Sequence, residues 1–309
     1  MIGEGSPANV RGESAVEQIV LQAPAKVNLH LELLGMRPDG YHEIETVMLA
    51  VDLCDELELV AAPAGQLRLS CDHPELSCGP ENLVWRAAQK LMARTGQSVG
   101  ARIHLVKRIP WAAGLGGGSS DAAAALLGLN QLWCLGLTKA DLAELGAELG
   151  SDIPFFFKAP AAICRGRGER VENIPVAHRF VFVLVKPPMG LTTAAVYQRY
   201  RQQDAADPPC KPDRLVAALQ AGDVATVGAC LHNRLQASAM ELCPPILEIY
   251  RRLHTAHCAG YLMSGSGSCL FALCHDTREA QHVVDDVRAW LSPISELDQT
   301  RVELVRSIL

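Results

Sequence analysis

The run Pro110-Trp111-Ala112-Ala113-Gly114-Leu115-Gly116-Gly117-Gly118-Ser119-Ser120-Asp121 leads directly into an apolar helical pattern. Glycines let a backbone approach an anion closely, and the unpaired amides and dipole at a helix N-terminus favour negative charge. By its physics the run is a phosphate cradle. It lacks the Gly-Lys-Ser/Thr ending of a Walker A loop, and Ser119 stands where the third glycine of a dinucleotide fingerprint belongs. A flexible Gly/Ser linker is the bland alternative, and the helix that starts at once argues against it.

Three further stretches carry reactive groups, each with an ordinary reading beside the chemical one. Asp152, in Gly150-Ser151-Asp152-Ile153-Pro154-Phe155, is either a turn residue or a carboxylate able to accept a hydroxyl proton beside a bound nucleotide. Lys26, in Pro24-Ala25-Lys26-Val27-Asn28, is either a solvated lysine or an ammonium at the head of a strand. Ser264-Gly265-Ser266-Gly267-Ser268 is either a second backbone anion nest or a tight turn.

The elements that must position these groups are legible in the periodicity. From Val27 the residues alternate, with Val27, Leu29, Leu31 and Leu33 on one face and Asn28, His30 and Glu32 on the other, the pattern of a half-buried strand. Pro38-Asp39-Gly40 is turn chemistry, and Ile44 to Val51 reads as the partner strand. Asn82 to Arg94 has helical spacing, Arg102 to Val106 is a short strand, and Ala122 to Trp133 carries a long apolar helix face. Thr138 has the chemistry to cap a helix through Leu149. Later come a strand over Phe180–Val185, a surface loop over Gln202–Pro212, helices around Leu215–Leu219 and Ile246–Leu253, a strand over Cys269–Leu273 and a helix over Arg278–Leu291. Strands and helices without strict βαβ alternation indicate an α+β class.

Composition sets the outer limits. A chain of 309 residues with 49% hydrophobic and 20% charged residues suits two domains with substantial cores. A formal charge of −6 argues against coating a nucleic acid polymer or an anionic membrane, so bound phosphates must be held locally. The N-terminus has no signal-peptide pattern and no stretch approaches the roughly 20 apolar residues of a membrane helix, so a cytoplasmic location is expected. The eleven cysteines include no C-x-x-C pair and read as reduced thiols.

Ala23-Pro24-Ala25-Lys26-Val27-Asn28, the Pro110–Asp121 run and Ser264–Ser268, in this order, resemble the three motifs of the GHMP kinases. Arg37-Pro38-Asp39-Gly40-Tyr41-His42-Glu43-Ile44 and Gly150–Phe155 narrow the resemblance to the branch that phosphorylates a cytidine diphosphate ester of methylerythritol. That reaction is the ATP-dependent step of the non-mevalonate isoprenoid route. The resemblance extends from about Gln22 to Leu273. It implies a two-domain fold, a ribosomal protein S5 domain 2-like N-terminal domain over 19–165 and a ferredoxin-like C-terminal domain over 166–309, with the active site in the cleft between them. Residues 1–18 are expected to be a flexible extension.

By the same resemblance, Asp152 is the base for the substrate hydroxyl and Lys26 completes the catalytic pair. Pro110 through Ser120, with Asn82, Leu83 and Lys107 on the adenine side, bind ATP, and Ser120 is a magnesium ligand. Asn28 orients the substrate, Tyr41, His42 and Tyr197 hold the cytosine, and Thr193 lies near the diphosphate. Ala194 departs from the family's usual proline, and Asp121 stands where some members have asparagine, capping the following helix with its charge offset by magnesium. The expected partners are ATP, magnesium and the cytidylyl ester, and the expected assembly is a monomer or homodimer. A kinase for another small alcohol, such as homoserine or mevalonate, and a non-catalytic protein of the same fold are the alternatives; the second would be expected to lose Lys26, Asp152 or the glycines.

Overall fold

The computed structural model describes residues 18–158, 160–202 and 208–309. Residues 1–17, which hold nearly all of the expected extension, and 203–207 within the expected Gln202–Pro212 loop, lie outside the described residues. The chain forms two compact units that interleave in sequence. One comprises the chain up to Ala25, Leu53–Ile109 and Gly116–Ala159; the other comprises Lys26–Asp52, Pro110–Leu115 and Pro160–Leu309. Two long strands, β1 (Gln18–Met36) and β2 (His42–Ala61), contribute residues to both.

In the first unit, β3 (Leu67–Cys71) pairs in parallel with β4 (Ala101–Val106), and β4 pairs antiparallel with residues 56–61 of β2. Four helices complete it: α1 (Leu83–Thr95), α2 (Gly117–Leu132), α3 (Lys139–Leu149) and the single turn α4 (Phe155–Lys158). Helix α1 buries Val84, Ala87, Ala88 and Leu91, the stripe its spacing predicts. Helix α2 goes further than one apolar face, because ten of its residues from Ser120 to Leu132 are buried, as suits a central helix. It lies so close to the strands that a Cβ on Gly128 would meet Leu59 Cδ1 at 2.2 Å and Leu21 Cδ1 at 2.8 Å. Thr138 caps α3 as its chemistry predicts, in a reciprocal box with Asp141.

In the second unit, β5 (Ala161–Gly166) pairs with residues 44–49 of β2 and with β6 (Arg170–Asn173). A four-stranded antiparallel sheet has the order β11-β7-β10-β9, with β7 at Val181–Lys186, β9 at Gly260–Met263, β10 at Leu270–Cys274 and β11 at Arg301–Arg306. Its helices are α5 (Thr193–Arg201), α6 (Asp213–Ala221), α7 (Val224–Ala229), α8 (Gln236–Leu242), α9 (Pro244–His254) and α10 (Thr277–Leu291). Val183, Val185, Leu270, Ala272, Ile246, Val283 and Val287 form part of one continuous core.

The strand expected to be half-buried is buried on both faces. Lys26, Asn28, His30 and Glu32 are at most 3% exposed. The two-residue strand β8 (His232–Asn233) pairs in parallel with β1 at His30 and Leu31 and covers this polar edge. Glu32 is satisfied there by Arg234, through Nε at 2.8 Å and a second guanidinium nitrogen at 2.8 Å, by the Cys210 amide at 2.8 Å and by His232 at 3.0 Å. Alternation alone does not reveal the covering, because the residues that supply it lie about 200 positions downstream.

Candidate active site

The candidate residues belong to both units. In the first, Gly116 adopts a left-handed conformation (φ +71°) and α2 begins at once. Its first intrahelical bond runs from the Ser120 amide to the Gly116 carbonyl at 2.9 Å, so the amides of Gly117, Gly118 and Ser119 have no intrahelical acceptor. The turn that carries Asp152 lies beside this helix end: a Cβ on Gly150 would stand 3.9 Å from Ser119 Oγ. Asp152 is half-buried in the four-residue turn between α3 and α4. Gly146 permits the close fit of that turn, since a Cβ there would meet Ile153 Cγ2 at 2.5 Å.

The charge under the cradle is balanced differently from the expectation. Asp121 does not cap α2, because the helix starts four residues earlier. Its carboxylate instead accepts from Lys107 Nζ at 2.7 Å, and the same ammonium bonds Asp55. Asp55 also accepts from the Arg108 and Ile109 amides, at 2.6 and 2.8 Å, fixing the chain just before the glycine run. Burial and the Asp55 carboxylate push Asp121 well above the usual carboxylate range, against the pull of Lys107. Burial opposes the Lys107 ammonium, but Asp121 and Asp55 outweigh it and raise its pKa. Asn82 caps α1, with Oδ1 accepting from the Val84 amide at 2.9 Å and Nδ2 donating to the Ser77 carbonyl at 2.8 Å. The polar ends of Asn82 and Lys107, two of the three adenine-side candidates, are thus engaged within the protein.

In the second unit Lys26 Nζ donates to Asn28 Oδ1 at 2.6 Å and to the Gly114 carbonyl at 3.0 Å. The two-residue spacing does place them on one strand face. Asn28 Nδ2 donates to Thr46 Oγ1 at 2.9 Å, which fixes the orientation of the amide. Ser264 Oγ accepts from the Asn28 amide at 3.2 Å and donates to the Gly114 carbonyl at 2.8 Å. The first half of the glycine run is pinned further by Lys26 N–H to the Leu115 carbonyl and Cys269 N–H to the Ala113 carbonyl, at 2.9 and 3.1 Å. Just before these pinned residues Trp111 is exposed, and Ala112 has a positive φ of 49°.

The Pro38-Asp39-Gly40 turn closes with Gly40 in a left-handed conformation and presents Tyr41 and His42. The Tyr41 side chain is exposed, with the Arg167 guanidinium 5.1 Å above its ring. His42 is buried, its ring 5.1 Å from that of Tyr197 and 6.1 Å from that of Tyr200. Burial, then the charge of Arg201, lowers its pKa, so the imidazole is held neutral with one donor and one acceptor nitrogen. Thr193 opens α5 and its hydroxyl meets Ser266 Oγ at 2.9 Å.

The chain matches the GHMP kinases N-terminal domain over residues 82–159 and the GHMP kinases C-terminal domain over 215–292. It is 45% identical over 267 residues to the 4-diphosphocytidyl-2-C-methyl-D-erythritol kinase of Pelotomaculum thermopropionicum, covering 86% of this chain and 92% of the relative. It is 39% identical over 277 residues to the kinase of the same name from Bacillus pumilus, covering 90% and 95%. The chain belongs to the GHMP kinase family. It is accordingly a small-molecule kinase with ATP as co-substrate. The crystal structure of a 4-(cytidine 5'-diphospho)-2C-methyl-D-erythritol kinase superposes with a TM-score of 0.77 at 35% identity, covering 94% of this chain and 99% of that one. A homoserine kinase from Cytophaga hutchinsonii superposes at 0.75 with 19% identity over 97% and 98%, a likeness of fold.

Several residues of this GHMP kinase escaped the sequence reading. Tyr200 follows Tyr197 at helical i,i+3 spacing, a signal present in Val196-Tyr197-Gln198-Arg199-Tyr200. Arg167 had no local signal, because its tie to Tyr41 depends on the β2–β5 pairing. Asn233 holds the Met263 and Gly265 carbonyls at 2.7 and 2.8 Å, and nothing near it in sequence announces that task. None of the eleven cysteines is joined in a disulfide, and burial pushes Cys269 and Cys274 up to about 12. Among the described residues no helix is long and apolar enough to cross a membrane.

Proposed function

We propose that the chain transfers the γ-phosphoryl group of ATP to the 2-hydroxyl of 4-diphosphocytidyl-2-C-methyl-D-erythritol, releasing ADP. The observation that carries this reading is the cluster of His42, Tyr197 and Tyr200 beside the arginine-covered Tyr41. Aromatic faces stack a nucleobase, a neutral imidazole bonds its edge, and the cations Arg167 and Arg201 suit a diphosphate. A sugar or amino-acid kinase has no use for such a set. The relatives with that name, at 39–45% identity over most of the chain, agree with it.

In the reaction the 2-hydroxyl oxygen forms a bond to the γ-phosphorus while the bond from that phosphorus to the β,γ-bridging oxygen breaks. Asp152 takes the hydroxyl proton. Lys26, held in place by Asn28 and the Gly114 carbonyl, stabilises charge on the transferring group. The amides of Gly117, Gly118 and Ser119 receive phosphate oxygens at the N-terminus of α2. Ser120 Oγ is buried and has no hydrogen-bond partner, so it fits a hard-oxygen contact to magnesium. Magnesium, when bound, would neutralise charge shared between the phosphates. Among the described residues no group of three or more acidic, histidine or cysteine side chains is arranged to hold a metal ion.

The reading assigns the ATP-binding domain to 19–165 and a C-terminal domain to 166–309. It places the protein in the cytoplasm, where eleven cysteines outside any disulfide stay reduced. The test is ADP release with a panel of acceptors: turnover of the cytidylyl ester and of neither homoserine nor mevalonate is expected, and turnover of homoserine alone contradicts the proposal. Asp152→Asn should lower kcat by about a thousandfold while leaving ATP affinity within about twofold. Near-normal turnover in that variant would remove Asp152 as the base.

A further inference from the structure

Lys186 ends β7, where its neighbours are apolar, and it is only 7% exposed. Its ammonium donates to the Pro187 carbonyl at 2.6 Å and the Met189 carbonyl at 3.1 Å. No carboxylate among the described residues pairs with it. The titratable groups that face it are the Cys243 and Cys269 thiols and Arg301. Burial keeps both thiols protonated, and Arg301 carries the same sign of charge. Burial and Arg301 both depress the lysine's pKa, and its nitrogen retains enough N–H groups for both carbonyls in either protonation state. A methionine would fill this volume without the desolvation cost of a cation.

The carbonyls it holds belong to the turn that launches α5. Pro187 and Pro188 have no amide hydrogen, so this turn cannot be secured by their own backbone donors. The Met189 carbonyl receives a second bond, from Ser268 Oγ at 2.7 Å, and a Cβ on Gly190 would stand 3.0 Å from that of Ala112. Thr192 then caps α5, Thr193 meets Ser266 at the first turn, and Tyr197 follows one turn later beside His42.

We propose that Lys186 is a positioning residue for cytidylyl-substrate binding: it fixes the 187–190 turn so that α5 presents Thr193 and Tyr197 in register. This rests on the proposed function. A lysine retained only for stability would be improved or unchanged by an apolar substitute, whereas a positioning lysine would lose substrate affinity with stability intact.

The test is Lys186→Met in the full-length chain, with ADP release measured against the cytidylyl ester and ATP, thermal unfolding, and amide hydrogen exchange over residues 190–197. The expected result is a KM for the cytidylyl ester raised roughly tenfold, a loss of about 1.4 kcal/mol of binding. The kcat and the KM for ATP should stay within about twofold, the unfolding temperature should not fall, and exchange at 190–197 should be faster. Lys186→Gln, which keeps an N–H donor, should recover part of the KM, and Ser268→Ala should move KM in the same direction by less. An unchanged KM and exchange rate, or a parallel fall in kcat and unfolding temperature, overturns the assignment; if Lys186→Met does not fold, Lys186→Gln with wild-type KM and exchange does so. A wild-type chain that fails to turn over the cytidylyl ester defeats the functional reading instead. In that case the exchange comparison alone decides whether Lys186 orders the turn.

Discussion

The two glycine-rich turns look alike in sequence and differ in where their backbone groups go. At Gly116–Gly118 the chain runs into α2, and the first helical amides are left without intrahelical acceptors. At Ser264–Gly267 the amides of Ser264 and Gly267 are bonded to the Cys269 and Ser264 carbonyls, at 2.9 Å each, and the Ser264 hydroxyl joins Gly114 to Asn28. Asn233 takes up the Met263 and Gly265 carbonyls. The first turn leaves its amides open, as the proposed phosphate contact requires. The second clasps the strand that carries Lys26 and Asn28. Glycine spacing alone does not separate these roles, because both need a backbone without side chains, one to admit a ligand and the other to admit a neighbouring chain.

Substitutions at the two kinds of glycine should separate the roles sharply. Gly114 lies on the clasp: a Cβ there would stand 2.0 Å from the Ser264 carbonyl oxygen, at a φ of +74°. Gly114→Ala should cost on the order of 3 kcal/mol or more, read as a large fall in the urea midpoint. A wild-type midpoint would show that the clasp is loose.

Acid should weaken the clasp next. His30 lies under β8, facing His232, Glu32 and Arg234, and burial followed by His232 lowers its pKa from 6.5 to about 4. The folded chain therefore binds this proton less readily than the unfolded chain. The resulting contribution, up to about 3 kcal/mol, is complete above pH 6.5 and is lost as pH falls through about 4. Unfolding measured across that range should show the slope, and His30→Phe should flatten it; an equal slope in the variant would assign it to another group. Glu32, held near 2 because Arg234 and two backbone amides overcome its burial, titrates below this window.

The smallest stability effect belongs to the cradle. A Cβ on Gly118 would meet only Leu83 Cδ1, at 3.7 Å, and alanine favours a helix by up to about 1 kcal/mol over glycine. Gly118→Ala should thus leave stability unchanged or slightly higher while raising the KM for ATP roughly tenfold, because the phosphate must approach that backbone. A stable variant with unaltered KM would break the distinction between the turns.

Much of this arrangement is written locally. The Thr138 cap, the α1 stripe and the bounds of β7, β10 and α10 follow from patterns within a dozen residues, and the structure places them within a residue or two. The Lys26–Asn28 contact is legible for the same reason, since strand geometry puts alternate residues on one face. What local reading misses is held by distant partners. Strand β8 has two residues and no periodicity, and β11 closes its sheet from the end of the chain by pairing with β7. Lys107 shows no sign in its own neighbourhood that Asp55, 52 residues earlier, shares its ammonium with Asp121.

The central claim is that this kinase recognises a cytidine diphosphate ester through the Tyr41–His42 hairpin and its aromatic partners. The most direct measurement is ADP release with 4-diphosphocytidyl-2-C-methyl-D-erythritol compared with methylerythritol lacking the cytidine diphosphate. The account predicts kcat/KM lower by at least about a thousandfold for the truncated alcohol, because a stacked base and a held diphosphate together contribute several kcal/mol. Equal turnover of the two would contradict it.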